Sequence, residues 1–297
     1  MPSHLVVGID GSDESATALA WAVEDARRRR LELELVYGLA IPVVSDAYGM
    51  VMTRPDIDEL CRYSESLLEA ARTAAEKLDP DVRVRTRLLN GPPAAVLIEA
   101  SKEATGLVVG SRGLGAISGR MLGSVSVRVA AKACCPVYVI PTGYDPAAAA
   151  GDPVMVGVDG SAYGDAALRL GLDEARCRDA KLTVVVAHHM PWLARPVEPA
   201  LIREFQASEV QLARRTADEA LARVCTGSDA EIPVEVRLME CHPEEALIQA
   251  AKTAQLTVVG SRGRAALSRA LLGSVSRAVL QEATRPVAVV RFPPKRR

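Results

Sequence analysis

The chain contains one nineteen-residue pattern twice. Val108–Ser126 reads VVGSRGLGAISGRMLGSVS and Val258–Ser276 reads VVGSRGRAALSRALLGSVS, with 13 of the 19 positions identical. Near the front of each half, Val6–Ser12 (VVGIDGS) is echoed by Met155–Ser161 (MVGVDGS). A chain of 297 residues can hold two cores of ordinary domain size. The repeat therefore predicts two copies of one domain. Because the repeated stretches are Gly- and Ser-rich turns, it also predicts a binding site in each copy.

The predicted domains are 1–142 and 153–297, joined by a linker at 143–152 that is rich in Pro, Gly and Ala. In each copy, β-branched runs alternate with amphipathic helical patterns, as where Leu5–Ile9 is followed by Asp13–Arg30. Such alternation predicts an α/β fold in which parallel strands are joined by right-handed crossovers, with helices on both faces of the sheet.

The composition argues against several classes of partner. The formal net charge is -1, so no overall field favours nucleic acid or an anionic membrane surface. The sequence shows no run of about 18 apolar residues that would predict a transmembrane helix, and no secretory signal is visible. The six cysteines do not repeat between the copies and lack zinc-like spacing, which favours a cytoplasmic setting. We interpret Cys134–Cys135 as small residues at a helix-to-strand junction, with a redox role as the alternative.

Each copy carries three glycines in the spacing G-x2-G-x9-G, followed by a serine. These residues are Gly110, Gly113, Gly123 and Ser124 in the first copy and Gly260, Gly263, Gly273 and Ser274 in the second. Each motif begins at the carboxyl end of a predicted strand and ends at a helix predicted from Leu122 or Leu272, and ligands of open parallel sheets bind at that edge. Glycine lets backbone N–H groups approach an oxyanion, and a helix N-terminus adds partial positive charge.

The motif therefore predicts a phosphate cradle built mostly from neutral donors, including the hydroxyls of Ser124, Ser126, Ser274 and Ser276. The alternative is a tight glycine turn that only packing requires. The sequence lacks GxxxxGK[ST], and it lacks GxGxxG after the first strand, so neither a P-loop nor a dinucleotide fingerprint is present. Asp10 and Asp159 end the first predicted strands, where a carboxylate can accept a ribose hydroxyl or hold a water on Mg²⁺. A turn aspartate that bonds nearby N–H groups is the alternative there.

Taken together, these motifs resemble those of the universal stress protein family, whose members carry G-x2-G-x9-G-[ST] after the fourth strand and an aspartate at the end of the first. The chain is similar to the tandem form known from actinobacteria over nearly all of both halves. The resemblance implies two tandem open parallel five-stranded sheets of order 3-2-1-4-5, Rossmann-like and similar to the adenine-nucleotide alpha-hydrolase fold. It also implies one ATP per domain, with Asp10 and Asp159 serving either the ribose or a Mg²⁺ ion reached through water.

The resemblance also indicates which residues meet the nucleotide. In the first copy they are Gly8, Asp10, Gly38, Gly110, Ser111, Arg112, Gly113, Gly115, Arg120, Gly123, Ser124 and Val125. In the second copy they are Gly157, Asp159, Ala187, Gly260, Ser261, Arg262, Gly263, Arg264, Gly273, Ser274 and Val275. Gly38 and Ala187, just past the second strands, are expected to offer backbone to adenine. The copies differ at Arg120, which matches Ala270 in the second copy, with Arg269 shifted by one position.

The implied function is that of an ATP-binding stress-response module in the cytoplasm rather than an efficient enzyme, because no repeated general base or Walker lysine is present. The alternatives are a slow ATPase or nucleotidyl-transfer enzyme, with a catalytic residue in 38–56 or 187–199, and a nucleotide-free scaffold. Edge strands Val137–Ile140 and Val287–Arg291 are expected to pair the halves about a pseudo-twofold axis, and a homodimer is expected. The sequence does not identify a protein partner.

Overall fold

The computed structural model describes residues 4–40, 54–113, 122–146, 149, 151–189, 199–229, 231–264 and 271–291. The chain divides into two compact units, Met1–Tyr144 and Asp145–Arg297. The boundary between the units falls inside the segment 143–152, and the domain limits 1–142 and 153–297 stay predictions. Among the described helices, none has an apolar stretch long enough to cross a membrane.

The first unit alternates strands and helices. Its elements are β1 (His4–Gly8), α1 (Asp13–Arg29), β2 (Glu32–Leu39), α2 (Arg54–Leu78), β3 (Val84–Asn90), α3 (Pro93–Ala100), β4 (Gly106–Gly110), α4 (Ser124–Lys132) and β5 (Val137–Ile140). Neighbouring strands are parallel, and their order in the sheet is β3-β2-β1-β4-β5. The predicted order 3-2-1-4-5 is therefore confirmed in this unit.

The second unit has the same order of elements. They are β6 (Val154–Gly157), α5 (Ala162–Cys177), β7 (Leu182–His188), α6 (Pro199–Val224), β8 (Val234–Glu240), α7 (Pro243–Ala251), β9 (Leu256–Gly260), α8 (Ser274–Glu282) and β10 (Val287–Val290). A short 3-10 helix, Gly227–Asp229, lies between α6 and β8. The parallel strands are arranged β8-β7-β6-β9-β10, so the predicted order is confirmed here as well.

The direction of the crossovers puts helices on both faces of each sheet. From β1 the chain moves through α1 and α2 toward β3 at one edge, and it then returns through α3 and α4 toward β5. Because parallel crossovers are right-handed, the two directions put the two helix pairs on opposite faces. The pairs α1–α2 and α3–α4 accordingly pack side by side. The central strands β1 and β4 are buried on both faces, which explains their continuous apolar sequences.

This connectivity creates a crevice at the carboxyl edge of each sheet. The chain leaves β1 toward β2, whereas the chain leaving β4 crosses toward β5 on the other side. Val7 pairs with Val108 in the β1–β4 register, so the turns that follow these two strands lie next to each other. A reversal of winding between neighbouring parallel strands is where such folds bind ligands.

In each unit, two predicted boundaries near this edge were wrong. The last helix of the first unit begins at Ser124 rather than Leu122, because the Gly123 N–H donates to the Ser111 carbonyl at 2.8 Å and so belongs to the loop. The helix of the second unit begins at Ser274 rather than Leu272 for the same reason. Gly38 and Ala187 lie inside β2 and β7 rather than past them, because β3 and β8 extend the pairing to those positions.

The adjacent cysteines lie at the junction between α4 and β5. All six cysteines of the chain are free. Cys134 is exposed, whereas Cys135 is buried, and burial raises the pKa of its thiol to about 12. A thiol with so high a pKa stays protonated at neutral pH and is a poor nucleophile. This environment favours the structural interpretation of Cys135.

A buried carboxylate secures the connection before β8. Asp229 accepts hydrogen bonds from the Thr226 N–H at 2.7 Å and from Arg169 Nη1 at 3.0 Å, and it also pairs with Arg176. The Thr226 N–H contributes most, and with the two guanidinium groups it holds the pKa of Asp229 well below its usual value. A group whose pKa falls on folding stabilises the folded state above its unfolded pKa, and that stabilisation is lost as pH falls.

We expect Asp229→Asn to lower the free energy of unfolding of the second unit by about 2 kcal/mol at neutral pH. The difference from the unsubstituted protein should shrink as pH drops below about 4, where the unfolded carboxyl becomes protonated. Urea denaturation at pH 7 and pH 3 measures both effects. Asp218→Asn is the control, because Asp218 pairs with Arg214 on an exposed part of α6. An equal loss from the two substitutions at pH 7 would contradict this account.

Candidate functional site

Each unit has a cavity at the carboxyl edge of its sheet, of about 520 Å³ in the first unit and about 510 Å³ in the second. The predicted residues that line the first cavity are Gly8, Asp10, Gly38, Gly110, Arg112, Gly113, Gly123, Ser124 and Val125. Those that line the second are Gly157, Asp159, Ala187, Gly260, Arg262, Gly263, Arg264, Gly273, Ser274 and Val275. The structure thus brings residues from four separate turns and strands together in each unit.

Four residues that were singled out from the sequence cannot be assigned to either cavity. Gly115 and Arg120 lie outside the described residues, as do Arg269 and Ala270 of the second copy.

The two predicted serines Ser111 and Ser261 do not line the cavities. Their carbonyls instead accept the Gly123 and Gly273 N–H groups at 2.8 and 2.9 Å, which closes each glycine loop at its base. Their own N–H groups donate to the carbonyls that end β5 and β10. These serines therefore shape the loop through their backbone.

The N-terminus of α4 opens into the first cavity. Gly123 is its N-cap and supplies no side-chain hydrogen bond, and the Val127 N–H is the first to bond within the helix, to the Gly123 carbonyl at 3.1 Å. The N–H groups of residues 124–126 precede that bond and so have no intrahelical partner. The three residues that carry these N–H groups line the cavity, and the Ser124 side chain is exposed. Gly273 and Ser274 of α8 repeat this arrangement in the second unit.

The other two serines expected to donate hydroxyls are engaged within the protein. Ser126 is buried and its Oγ donates to the Gly110 carbonyl at 2.7 Å. The buried Ser276 Oγ lies 3.2 Å from the Ser261 carbonyl and 3.1 Å from that of Gly273. Both hydroxyls hold the glycine loop against the start of the helix. Backbone N–H groups and one exposed serine per unit are left as donors at this end of each cavity.

The two aspartates lie between the first turn of each unit and its glycine loop. Asp10 lies two residues past β1, and its Oδ1 accepts from Ser12 N at 3.0 Å and from Ser12 Oγ at 2.6 Å. Ser12 Oγ in turn accepts from Ser15 N at 3.2 Å, which caps α1. A Cβ at Gly113 would lie 2.2 Å from Asp10 Oδ2, so only glycine fits beside that oxygen. The hydrogen bonds from Ser12 to Asp10 are those expected for the alternative interpretation, in which the residue is a turn aspartate.

The second unit repeats this relay. Asp159 Oδ1 accepts from Ser161 N at 3.0 Å and Ser161 Oγ at 2.6 Å, and Ser161 Oγ accepts from Gly164 N at 3.1 Å. The Arg264 N–H of the glycine loop donates to Asp159 Oδ2 at 3.0 Å. Asp159 therefore joins the turn after the first strand to the loop after the fourth, and in the first unit Asp10 Oδ2 lies close to Gly113 of the corresponding loop.

The first glycine of each motif is required by packing. A Cβ at Gly110 would lie 2.9 Å from both the Cβ and the carbonyl oxygen of Glu14 in α1. A Cβ at Gly260 would lie 2.8 Å from the carbonyl oxygen of Tyr163 in α5. Glycine here lets the strand end approach the helix closely. The alternative of a glycine that only packing requires therefore applies to this first position. The second glycine of each motif, Gly113 or Gly263, instead leaves room for the carboxylate of Asp10 or Asp159.

A mostly apolar wall of the first cavity was missed by sequence reasoning. Val36 and Tyr37 of β2, together with Pro93 and Leu97 of α3, line it beside Gly38. A signal was available, because alternate residues of a strand share a face and Val36 lies two residues before Gly38. Nothing in the sequence around Pro93 pointed to the site.

The two units use different residues where the strand packs against the helix at this wall. A Cβ at Gly38 would lie 2.6 Å from Pro93 Cα and 2.8 Å from Val96 Cγ2. At the corresponding positions the second unit has Ala187 in β7 and Ala246 in α7. Compared with the first unit, the second therefore has a larger residue on the strand, alanine in place of glycine, and a smaller one on the helix, alanine in place of valine.

Within the described residues, no group of three or more His, Cys, Asp or Glu side chains is arranged to hold a metal ion. Among the residues that line the two cavities, the carboxylates are Asp10 in the first and Asp159 in the second. One carboxylate per site suits Mg²⁺, which keeps several waters and takes its other ligands from substrate phosphates.

The fold and the two cavities define a tandem α/β protein with a candidate ligand site at the switch point of each sheet. The family follows from comparison with known proteins. A family model described as the universal stress protein family matches the chain twice, over residues 1–141 and 151–291. A universal stress protein of Mycobacterium tuberculosis strain H37Rv is 36% identical over 300 residues, covering 97% of this chain and 96% of the relative. A second from the same strain is 33% identical over 307 residues, covering 97% and 95%.

The chain belongs to the universal stress protein family, in its tandem two-domain form, and the resemblance read from the sequence is confirmed. Among solved structures, a universal stress protein from Archaeoglobus fulgidus matches with a TM-score of 0.69 at 20% identity. That match covers 99% of this chain and 97% of the other. At this level of identity the likeness shows the fold, which agrees with the strand order of both units.

Proposed function

We propose that this protein binds one adenine nucleotide, ATP, in each unit and acts as a stress-response regulatory module rather than as an efficient enzyme. One observation carries the proposal. In both units the N-terminus of a nine-residue helix, with backbone N–H groups that have no intrahelical partner, opens into a cavity behind a closed glycine loop. Free N–H donors and the helix dipole together favour a phosphate group at such a place.

The two ends of each cavity suit the two ends of a nucleotide. The phosphates lie at Gly123, Ser124 and Val125 in the first unit and at Gly273, Ser274 and Val275 in the second. The adenosine lies against the apolar wall that contains Gly38 or Ala187. Volumes of about 520 and 510 Å³ fall in the range of small-molecule sites, which are mostly apolar with a few placed polar groups.

The aspartates have a dual role in this proposal. Through Oδ1 each holds the first turn, and through Oδ2 Asp159 also holds the glycine loop of the second unit. Mg²⁺ enters with the phosphates and reaches Asp10 or Asp159 through water. The charge that Mg²⁺ neutralises is that of the phosphates, which the backbone N–H groups do not neutralise.

The chemistry of the described site favours binding over turnover. Backbone N–H groups hold phosphate but do not activate a water molecule. The single carboxylate of each site accepts two hydrogen bonds at one oxygen, from Ser12 or Ser161. The catalytic residue that the enzyme alternative requires was expected in 38–56 or 187–199, and 41–53 and 190–198 lie outside the described residues. Bound ATP then acts as a ligand, which shifts conformation only through different affinities for two states.

The proposal also places the protein in the cytoplasm. All six cysteines are free, as suits the reducing cytoplasm. The pseudo-twofold pairing of the halves and the homodimer stay predictions from the sequence.

Added MgATP should raise the thermal stability of the purified protein, because a ligand that binds only the folded state stabilises it by about 2.7 kcal/mol at 100 times its Kd. Differential scanning fluorimetry with millimolar MgATP measures the shift. Magnesium tripolyphosphate is the control that tests the adenosine wall, and a smaller shift is expected from it. Mass spectrometry of the denatured protein then identifies any adenylate carried through purification. An unchanged unfolding midpoint together with no released adenylate would remove the proposal.

A further inference from the structure

The cavity-lining arginines of the two units have different surroundings. In the second unit Arg262 lies with its Cζ 5.2 Å from the centre of the Tyr163 ring, and its Nη1 donates to the Tyr163 hydroxyl at 2.7 Å. Arg262 is only 9% exposed, although it lines the cavity. A cation over an aromatic face with a hydrogen bond to the same side chain is held in one orientation.

The first unit lacks this arrangement. The residue that corresponds to Tyr163 is Glu14, and its Oε1 accepts from Thr142 Oγ1 at 3.2 Å. Arg112 lines the cavity at the position of Arg262 and is partly exposed. Among the described residues, no hydrogen bond or ion pair engages the Arg112 guanidinium. Arg112 can therefore turn toward an anion in the cavity without first giving up a partner.

We propose that Tyr163, by holding Arg262, lowers the preference of the second site for nucleotides with several phosphates. The inference rests on the proposed function, because it concerns one of the same two sites. At the first site Arg112 follows the phosphate chain and adds a charge-assisted contact that grows with phosphate number. At the second site Arg262 stays on Tyr163, so that the phosphates meet the backbone N–H groups and Arg264, whose exposed side chain also lines this cavity.

The measured quantity is the preference for ATP over AMP at each site, expressed as the ratio of the Kd for AMP to the Kd for ATP. Ser124→Glu places a carboxylate at the N-terminus of α4 and closes the first site, so that isothermal titration of that variant reports the second. Ser274→Glu does the reverse. We expect the ratio at the second site to rise about tenfold when Arg262 is fully released from Tyr163, equivalent to about 1.4 kcal/mol.

Two substitutions then test the residues themselves. Tyr163→Phe in the Ser124→Glu background keeps the ring, and it keeps the carbonyl oxygen and Cβ that lie close to Gly260, but it removes the hydroxyl. It should raise the ATP preference of the second site several-fold, and Tyr163→Leu, which also removes the aromatic face, should raise it further. Arg112→Ala in the Ser274→Glu background should lower the preference of the first site several-fold. Tyr63→Phe on the exposed face of α2 is the control and should change neither ratio.

The ratio separates this role from a structural one, because loosening of the fold weakens ATP and AMP alike. Adenylate binding with a ratio at the second site that neither Tyr163→Phe nor Tyr163→Leu changes would overturn the role of Tyr163 and leave the proposed function standing. A lower ratio in either Tyr163 variant would also overturn it. If the unsubstituted protein binds neither ATP nor AMP, both the inference and the proposed function fail.

Discussion

Ser124→Glu should abolish nucleotide binding in the first unit, and Ser274→Glu should do so in the second. Ser124 is the first residue of α4 and is exposed at the mouth of the cavity, where the free N–H groups lie. A carboxylate there engages those donors and repels phosphate. We expect affinity at the altered site to fall at least thirtyfold, or about 2 kcal/mol. Isothermal titration with MgATP should show two sites in the unsubstituted protein, one in each single variant and none in the double variant.

The glutamate is not expected to harm folding. An acidic side chain in the first turn of a helix is stabilising by about 0.3–1 kcal/mol, and the position is exposed. Ser124→Gln is the matched control, because glutamine has the size of glutamate without its charge. Retention of two binding sites in Ser124→Glu would show that phosphate does not lie at this helix, whereas equal losses from Gln and Glu would show a steric effect alone.

Gly113→Ala should both destabilise the first unit and weaken its nucleotide site. The added Cβ would lie 2.2 Å from Asp10 Oδ2, and the carboxylate is fixed by two hydrogen bonds from Ser12. Accommodation requires Asp10 or the glycine loop to move, and loss of the aspartate contact also weakens the cap of α1. We expect a loss of about 2–3 kcal/mol in the free energy of unfolding. Nucleotide affinity at that site should fall more than tenfold.

A double substitution identifies the source of the loss. If the clash with Asp10 is responsible, Gly113→Ala combined with Asp10→Ala should be no less stable than Asp10→Ala alone, because neighbouring groups that share one contact are not additive. Gly227→Ala is the control for a glycine with open space, since no atom lies within 4 Å of its added Cβ. Chemical denaturation of the four variants and the unsubstituted protein measures these differences. Additive losses in the double variant would contradict a role for the Asp10 contact.

Much of the fold was predictable because its signals are local. Buried parallel strands such as β4 read as continuous apolar runs, and the amphipathic period of α1 marks a helix between two strands. The matching turns, at offsets of 149 and 150 residues, located the loops after the first and fourth strands of each unit. The rule that ligands bind where the winding of a parallel sheet reverses then placed a site between those loops.

The internal contacts of the site were less accessible to sequence reasoning. The spacing G-x2-G-x9-G does not show that Gly110 faces Glu14 for packing while Gly113 faces Asp10. It also does not show that Ser126 donates inward while Ser124 is exposed, although both follow Gly123 closely. The start of α4 was placed two residues early for a related reason, since the bond from Gly123 to Ser111 joins residues twelve apart in the chain.

The amino-acid sequence alone predicted the duplication, the alternation of strands and helices, and the family. It also predicted that two turns would meet at one edge of each sheet. These follow from composition and period, which each short segment carries within itself. Only the tertiary structure decided which atoms fill the space between those turns, and so set Tyr163 against Arg262 and left Arg112 able to turn toward the cavity. The physical reason is that packing depends on distances between residues far apart in the chain, which no local pattern encodes.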